Sequence, residues 1–330
     1  MTRSRLAPGA GIVTVPGAGP VLRTSGGEFL RIDTGGVDGE ALVRRLVGEE
    51  APGEGPHAAE LDRLVEAFEA GGHAVSAPAR APLAGRTVHV LGDPVLTGPV
   101  ARCAGAEGAE VHLTTPDRVA ELTRATPRHR TEGRVAVVWC LDSPVPEGLW
   151  DTADRLPARR VAWLRCHREG AHSWTEPLAA APGDVTSRHV RLRRLAATAA
   201  HRELAAYWAG HRTPDTGPHP TEASAALIAA LLTADLIAWA EAEAEAEAEA
   251  QAEAQAAAEG AGAEARAGAA VAAGPGGAAG LPARRRLRRI DLRDLTVTEH
   301  PVLPVPDVAP LPAPTRVGTR AGTGTTKAHP

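Results

Sequence analysis

Two folded units in series, a small α+β unit and then a Rossmann-like α/β domain, are what this sequence predicts. Strand-like runs precede amphipathic helical runs in the first 75 residues. From residue 87 onward strand, loop, helix and strand alternate. Residues 134–140 (Arg-Val-Ala-Val-Val-Trp-Cys) are apolar almost throughout, as a parallel strand covered on both faces must be. A chain of 330 residues accommodates two or three such domains.

In the first unit, residues 12–15, 21–23 and 29–33 are short strand-like runs parted by Gly-Ala-Gly-Pro and Ser-Gly-Gly, the turn chemistry of an antiparallel meander. Asp38 is placed to cap a helix carrying Leu42, Val43 and Leu46. Leu61, Leu64, Val65 and Phe68 then recur at helical spacing over residues 58–70, and Gly71-Gly72 stops the pattern. Three strands followed by two helices make a winged-helix-like unit over residues 1–75. The Ala/Pro-rich residues 76–86 read as a linker.

The second unit opens with a strand at 87–91, a loop holding Gly92, Pro94 and Gly98, a helix from about Pro99 to Ala106, and a strand at 110–113. Beyond the apolar strand at 134–140, residues 160–166 and 173–177 read as strands around Glu169-Gly170, and 187–210 as one basic amphipathic helix. Pro214 to Pro220 interrupt. A helix over 221–239 closes this domain, 87–240, and runs into an Ala/Glu repeat; alternation does not make the repeat a strand, because both residues are strong helix formers. Residues 241–283 are thus a low-complexity insertion, helical and then Ala/Gly-rich. Residues 284–306 return as a strand and a Pro-flanked arm, and 307–330 read as a disordered tail.

Composition narrows function. A net charge of -4 and a pI near 6.4 argue against bulk attraction to nucleic acid or an anionic membrane. The longest apolar run, 223–240, is mostly alanine and contains Asp235, which favours a buried helix over a membrane span. Cys103, Cys140 and Cys166 form no Cys-x-x-Cys pair, and no signal-like segment opens the chain, so a reduced, cytoplasmic protein is expected.

Candidate chemistry is sparse. Gly92-Asp-Pro-Val-Leu-Thr-Gly98 lies where a nucleotide loop would, but Pro94 adds bulk and removes a donor where phosphate would approach, and no carboxylate ends the next strand. The histidines at 167, 172, 189, 201, 211 and 219 lack metal-ligand spacing and read as surface residues, and the five arginines within 284–289 read as a solvated strand face. No catalytic, cofactor-binding or metal residue is assigned.

Four stretches together carry a resemblance: Val161-Ala-Trp-Leu-Arg-Cys-His-Arg-Glu-Gly170; Glu176-Pro-Leu178 with Pro182-Gly183; Arg191-Leu-Arg-Arg-Leu195; and His300-Pro-Val-Leu-Pro-Val-Pro306. They resemble the ocin-ThiF-like proteins of azole-containing and thiopeptide biosynthesis. The resemblance implies a peptide-recognition element ahead of a degenerate domain similar to ThiF and ubiquitin-activating enzymes. It implies a noncatalytic subunit that captures the leader of a ribosomal precursor and presents it to a YcaO cyclodehydratase, with ATP and Mg on that partner. Where relatives carry Cys-x-x-Cys, Ser187 and Val190 stand here, so no zinc is expected.

On that reading the peptide-binding groove comprises Phe29, Leu30, Arg31 and Ile32 on an edge strand with Leu61, Leu64, Val65 and Phe68 on the helix. The bland alternative is that Leu30, Ile32 and Leu64 only fill the core. A ThiF-like nucleotide-binding or sulfur-transfer enzyme is the other functional reading. A DNA-binding winged helix is disfavoured because neither helix is basic. Whether the alanine-rich helix packs internally or across a homodimer stays open.

Overall fold

A computed structural model describes residues 4–15, 17, 19–47, 57–75, 81–124, 134–214, 216–258 and 281–306. The first element is β1 (Arg5–Leu6), which pairs antiparallel with β5 (Ala74–Val75) and ties the two ends of the first unit together. Between them lie β2 (Gly11–Val15), β3 (Gly19–Arg23) and β4 (Phe29–Arg31), a meander in the order β2-β3-β4, then α1 (Gly39–Val47) and α2 (Ala58–Ala70). The last strand ends at Arg31, so Ile32 falls outside it. The Asp38 carboxylate accepts from the Glu40 N–H at 3.2 Å and so starts α1 as its sequence requires.

Leu22, Leu42, Leu46, Leu61, Val65, Phe68 and Ala74 form one core between sheet and helices, with Ile12, Ile32 and Leu64 packed against it. Arg45 of α1, largely buried, meets Asp62 of α2 at 2.5 Å and locks the helix pair. The three strands and two helices occur in the predicted order, and a third helix is absent among the described residues of this unit.

The second unit is built on a seven-stranded sheet in the order β12-β11-β10-β9-β8-β6-β7. Four strands are parallel: β6 (Thr87–Gly92), β7 (Glu110–Leu113), β8 (Val135–Leu141) and β9 (Ala162–Glu169). Antiparallel strands extend the sheet from β9, namely β10 (His172–Thr175), β11 (Arg286–Asp291) and β12 (Val297–Pro301). Residues of β9 alternate between faces. Leu164 and Cys166 join one core with α3 (Pro94–Ala106) and α7 (Glu222–Ala258), while Trp163 joins the opposite core with Val119 of α4 (Pro116–Arg124) and Leu156 of a 3-10 turn at Ala153–Arg159.

Several expectations are corrected. Leu83 is fully buried and its N–H bonds Glu107 O at 2.9 Å, so 81–86 belongs to the α/β domain; 76–80 lie outside the described residues. The first helix of that domain starts at Pro94, five residues before Pro99, because proline is well tolerated in a first turn; Pro99 sits inside the helix. The basic helix is two, α5 (Ser187–Ala197) and α6 (His201–Trp208). Thr198 between them is extended, and its hydroxyl takes the Ala200 N–H at 3.2 Å, an alternative to helical bonding.

Helix α7 is long and apolar enough to cross a membrane by length and composition, but 56% of its apolar window is buried in the chain. Ala225, Ile228, Leu232, Leu236 and Trp239 pack it internally onto the sheet and α3. The Ala/Glu repeat continues this helix to Ala258. Its early turns do not project freely: Glu243 is buried and meets Arg160 at 3.6 Å and Arg284 at 3.3 Å. The Ala/Gly tract and the tail beyond residue 306 lie outside the described residues.

The arginine run is likewise not a solvated face. Arg288 is 2% exposed and holds both carboxylate oxygens of the buried Asp235 on α7, at 2.6 and 3.0 Å, and Arg286 reaches the same carboxylate at 2.6 Å. Burial alone would lower the Arg288 pKa, but Asp235 and Glu299 outweigh it and raise the value, so the guanidinium stays charged. A buried acid on a helix and two arginines on the facing strand are thus one structural bolt.

Candidate functional site

The predicted groove residues divide into two groups. Leu61, Val65 and Phe68 are 2%, 5% and 7% exposed, and all three are core. Ile32 and Leu64 pack against the same core. Phe29, Leu30 and Arg31 remain outside, with Phe29 63% and Leu30 42% exposed. The helix residues therefore support the edge strand from beneath, and the exposed side chains all lie on that strand.

Strand β4 forms one edge of the meander. Thr24 N–H bonds Glu28 O at 2.8 Å, and Ile32 N–H bonds Pro20 O at 3.4 Å. In an antiparallel ladder the inward-bonding residues alternate, so Leu30 also faces β3, and the backbone N–H and C=O groups of Phe29 and Arg31 point away from the meander. Leu30 pairs with the buried Leu22 and shares its helix-facing side, whereas Phe29 and Arg31 stand on the other face. The edge thus offers hydrogen-bonding groups flanked by apolar and cationic side chains. The opposite edge, β2, exposes Val13 and Val15.

The second place where this architecture positions ligands is the switch point between β6 and β8, at the carboxyl ends of the parallel strands. Gly92 has φ +115°, and a Cβ there would sit 1.8 Å from Cys140 O. The glycine is thus demanded by the close approach of β8. Asp93 N–H bonds Cys140 O at 2.9 Å, and the Asp93 carboxylate accepts from Asp142 N–H at 2.6 Å. The Asp142 carboxylate in turn meets Arg168 Nε at 2.5 Å and His219 Nδ1 at 2.6 Å. Side chains of this chain occupy the donors and acceptors of the crevice.

Three of the four stretches that carried the resemblance meet in a buried polar cluster, and His167, expected at the surface, lies within it. Arg165 is fully buried and bonds Glu176 at 2.7 Å and the carbonyls of Pro177 and Val185 at 3.0 and 2.8 Å. His167, 3% exposed, lies 3.2 Å from Glu169. Glu169 also receives two bonds from Arg194 on α5, at 3.0 and 2.5 Å, and one from Trp208 on α6 at 2.7 Å. Burial would raise the Glu169 carboxyl, but His167 and Arg194 outweigh it and hold it well below the usual carboxylate range.

A signal for this cluster was present. Trp163, Arg165, His167 and Glu169 alternate along one strand and must share a face. Trp174 on β10 lies opposite His167, and the Arg194 guanidinium stacks 4.1 Å from its ring centroid. These residues weld the β9-β10 hairpin to α5 and α6. Cys166 is buried on the other face, 3.2 Å from the Ser173 hydroxyl, and the Cys140 thiol beside it is pushed up by hydrogen bonding to Cys166 and by burial.

No family model and no curated protein sequence matches the chain. Solved structures do. A heterocyclase in complex with substrate and cofactor superposes with a TM-score of 0.62 at 11% identity, over 92% of this chain and 39% of that one. The heterocyclase TruD superposes with a TM-score of 0.59 at 14% identity, over 92% of this chain and 42% of its own. The shared feature is the fold. The chain shares its fold with these two heterocyclases and spans about two fifths of their length.

Proposed function

We propose that this chain binds the leader of a ribosomal precursor peptide by strand addition at the open edge of β4, and presents it to a separate YcaO cyclodehydratase for azoline formation. In strand addition backbone pairing supplies affinity and alternate side chains supply specificity. The observation that carries the reading is the edge itself: the outward backbone groups of Phe29 and Arg31 beside the exposed Phe29 and Leu30. The fold it shares with two heterocyclases supports a role alongside a cyclising enzyme.

The same reading makes the chain itself noncatalytic. The self-bonded Asp93, Asp142, Arg168 and His219 crevice, with Pro94 in the loop, supports a switch point that serves structure. ATP and Mg would act on the YcaO partner.

The test is fluorescence-polarisation binding of a labelled leader from the same gene neighbourhood to the full chain and to Phe29→Asp, Leu30→Asp and Val13→Asp variants. The expected result is saturable binding that weakens about tenfold or more in the first two variants and is unchanged in the third. Absence of binding by the folded wild type overturns the leader-binding reading. Loss confined to Val13→Asp moves recognition to β2 and overturns the assignment to β4.

A further inference from the structure

The hairpin of α5 and α6 carries an open groove that neither the peptide edge nor the switch point uses. Two adjoining clefts, of about 570 and 200 Å³, share Leu195 and Ala205 in their linings. Leu192, Ala196 and Ala205 add exposed apolar surface, and Leu192 is 40% exposed. The rim is cationic. Arg188, Arg191 and Leu195 follow one another at helical spacing on α5, and Arg202 faces them from α6.

Among the described residues, the guanidinium groups of Arg188, Arg191, Arg193 and Arg202 meet no carboxylate, although the backbone N–H of Arg188 bonds Asp154 at 3.1 Å. Arg191 bonds Val145 O and stacks on Trp208; Arg193 bonds the carbonyls of Leu303 and Pro304. Only Arg194 of this helix reaches an acid, and it points inward to Glu169. Glu147 is the single carboxylate lining either cleft. The contrast with Arg165, Arg168, Arg284 and Arg288, each held against an acid, marks this surface as one whose counter-charges come from elsewhere.

We propose that the α5-α6 groove docks an acidic amphipathic helix of a partner protein. Both walls are helices, so the groove has no sheet edge for a strand to extend. An occupant must satisfy its own backbone, which a helix does. Leucine-type anchors at i, i+3 and i+4 would cover Leu192, Leu195 and Ala205, and carboxylates flanking them would meet Arg188, Arg191 and Arg202. Helix α5, with 11 residues, is about 16 Å long and matches about three turns of partner.

This docking surface stands apart from leader capture, and its test uses designed probes with the full chain. The first probe is an acetylated, fluorescein-labelled helix of about 14 residues with a leucine stripe and glutamates elsewhere. A second replaces the glutamates by lysine, and a third scrambles the stripe at constant composition. The expected result is salt-sensitive binding of the first probe alone, weakened about tenfold in Arg188→Glu/Arg202→Glu and in Leu192→Asp. Circular dichroism confirms that each variant is folded.

Equal binding of the scrambled peptide, or unchanged affinity in both folded variants, overturns the proposal. So does no binding of the first probe up to about 1 mM. Sedimentation of the chain with phosphatidylglycerol vesicles, abolished in the arginine variant while the peptide fails to bind, assigns the surface to a membrane instead and also overturns it.

Discussion

Replacing Glu169 by glutamine tests whether the β9-β10 hairpin is held to α5 and α6 by charge or by shape. The change conserves volume and keeps one carbonyl oxygen for Trp208, which donates at 2.7 Å. It removes the negative charge between Arg194 and His167 and points an amide N–H₂ at one of the two Arg194 nitrogens. Donor then faces donor. Bonds to charged groups contribute about 1.5–3 kcal/mol each, and stranding a buried partner costs about 3–5 kcal/mol. Arg194 keeps 17% of its side-chain surface in solvent, so the lower figure applies, and about 2–3 kcal/mol is expected at pH 7. For a domain of this size that lowers Tm by roughly 4–12 °C.

The sign with pH follows from the depressed carboxyl. A group whose folded pKa lies below its unfolded value contributes stability that is complete above the unfolded value, about 4.3 for glutamate, and declines as pH falls toward the folded one. Thermal melts of wild type and Glu169→Gln at pH 7, 5 and 3 should therefore show a gap that is equal at the first two and smaller at the third. A constant gap at all three would mean that packing, not ionisation, is lost. A gap under about 0.5 kcal/mol at pH 7 would refute any part for Glu169 in holding the hairpin to α5 and α6.

Two further substitutions probe the same frame. Gly92→Ala places a methyl 1.8 Å from Cys140 O at a backbone angle that side chains avoid, so β6 and β8 must part, and a loss of about 3 kcal/mol or more is expected by urea unfolding. Asp235→Ala leaves Arg286 and Arg288 without their shared acid under α7 and should cost about 3–5 kcal/mol, whereas an accompanying Arg288→Met should restore much of it; a double variant no more stable than the single one would contradict the pairing.

How far the fold was legible depends on the range of the interaction that decides each element. Helix α2 was read to its ends because Leu61, Leu64, Val65 and Phe68 repeat locally and Gly71 stops the helix. Strand β8 was legible because burial on both faces leaves a continuous apolar run. Helix α4 was missed: it buries only Val119 and Thr123 and follows a proline that also reads as a turn. The break between α5 and α6 has no glycine or proline to announce it. Thr198 bonds the Ala200 N–H there, and the return of Trp208 to Glu169, a contact spanning 39 residues, holds the second helix in place.

Charge was misread for the same reason, and the misreading separates two kinds of arginine. A run such as 284–289 reads as solvated from its own composition, yet the acid that holds it, Asp235, lies 53 residues before Arg288 and arrives only when α7 packs on the sheet. Composition cannot distinguish that arginine from Arg188 or Arg202, since each has an acid within four residues, Asp291, Asp184 and Glu203 in turn, that does not pair with its side chain. The fold does distinguish them. Once α7 has delivered Asp235, and β9 has delivered Glu169 to Arg194, the arginines that line the groove, Arg191 and Arg202, still lack an acid. A buried arginine had to find its carboxylate within the chain to fold at all, whereas a rim arginine is solvated and can wait for a partner's. The unpaired charge is therefore informative only after the paired charge has been accounted for.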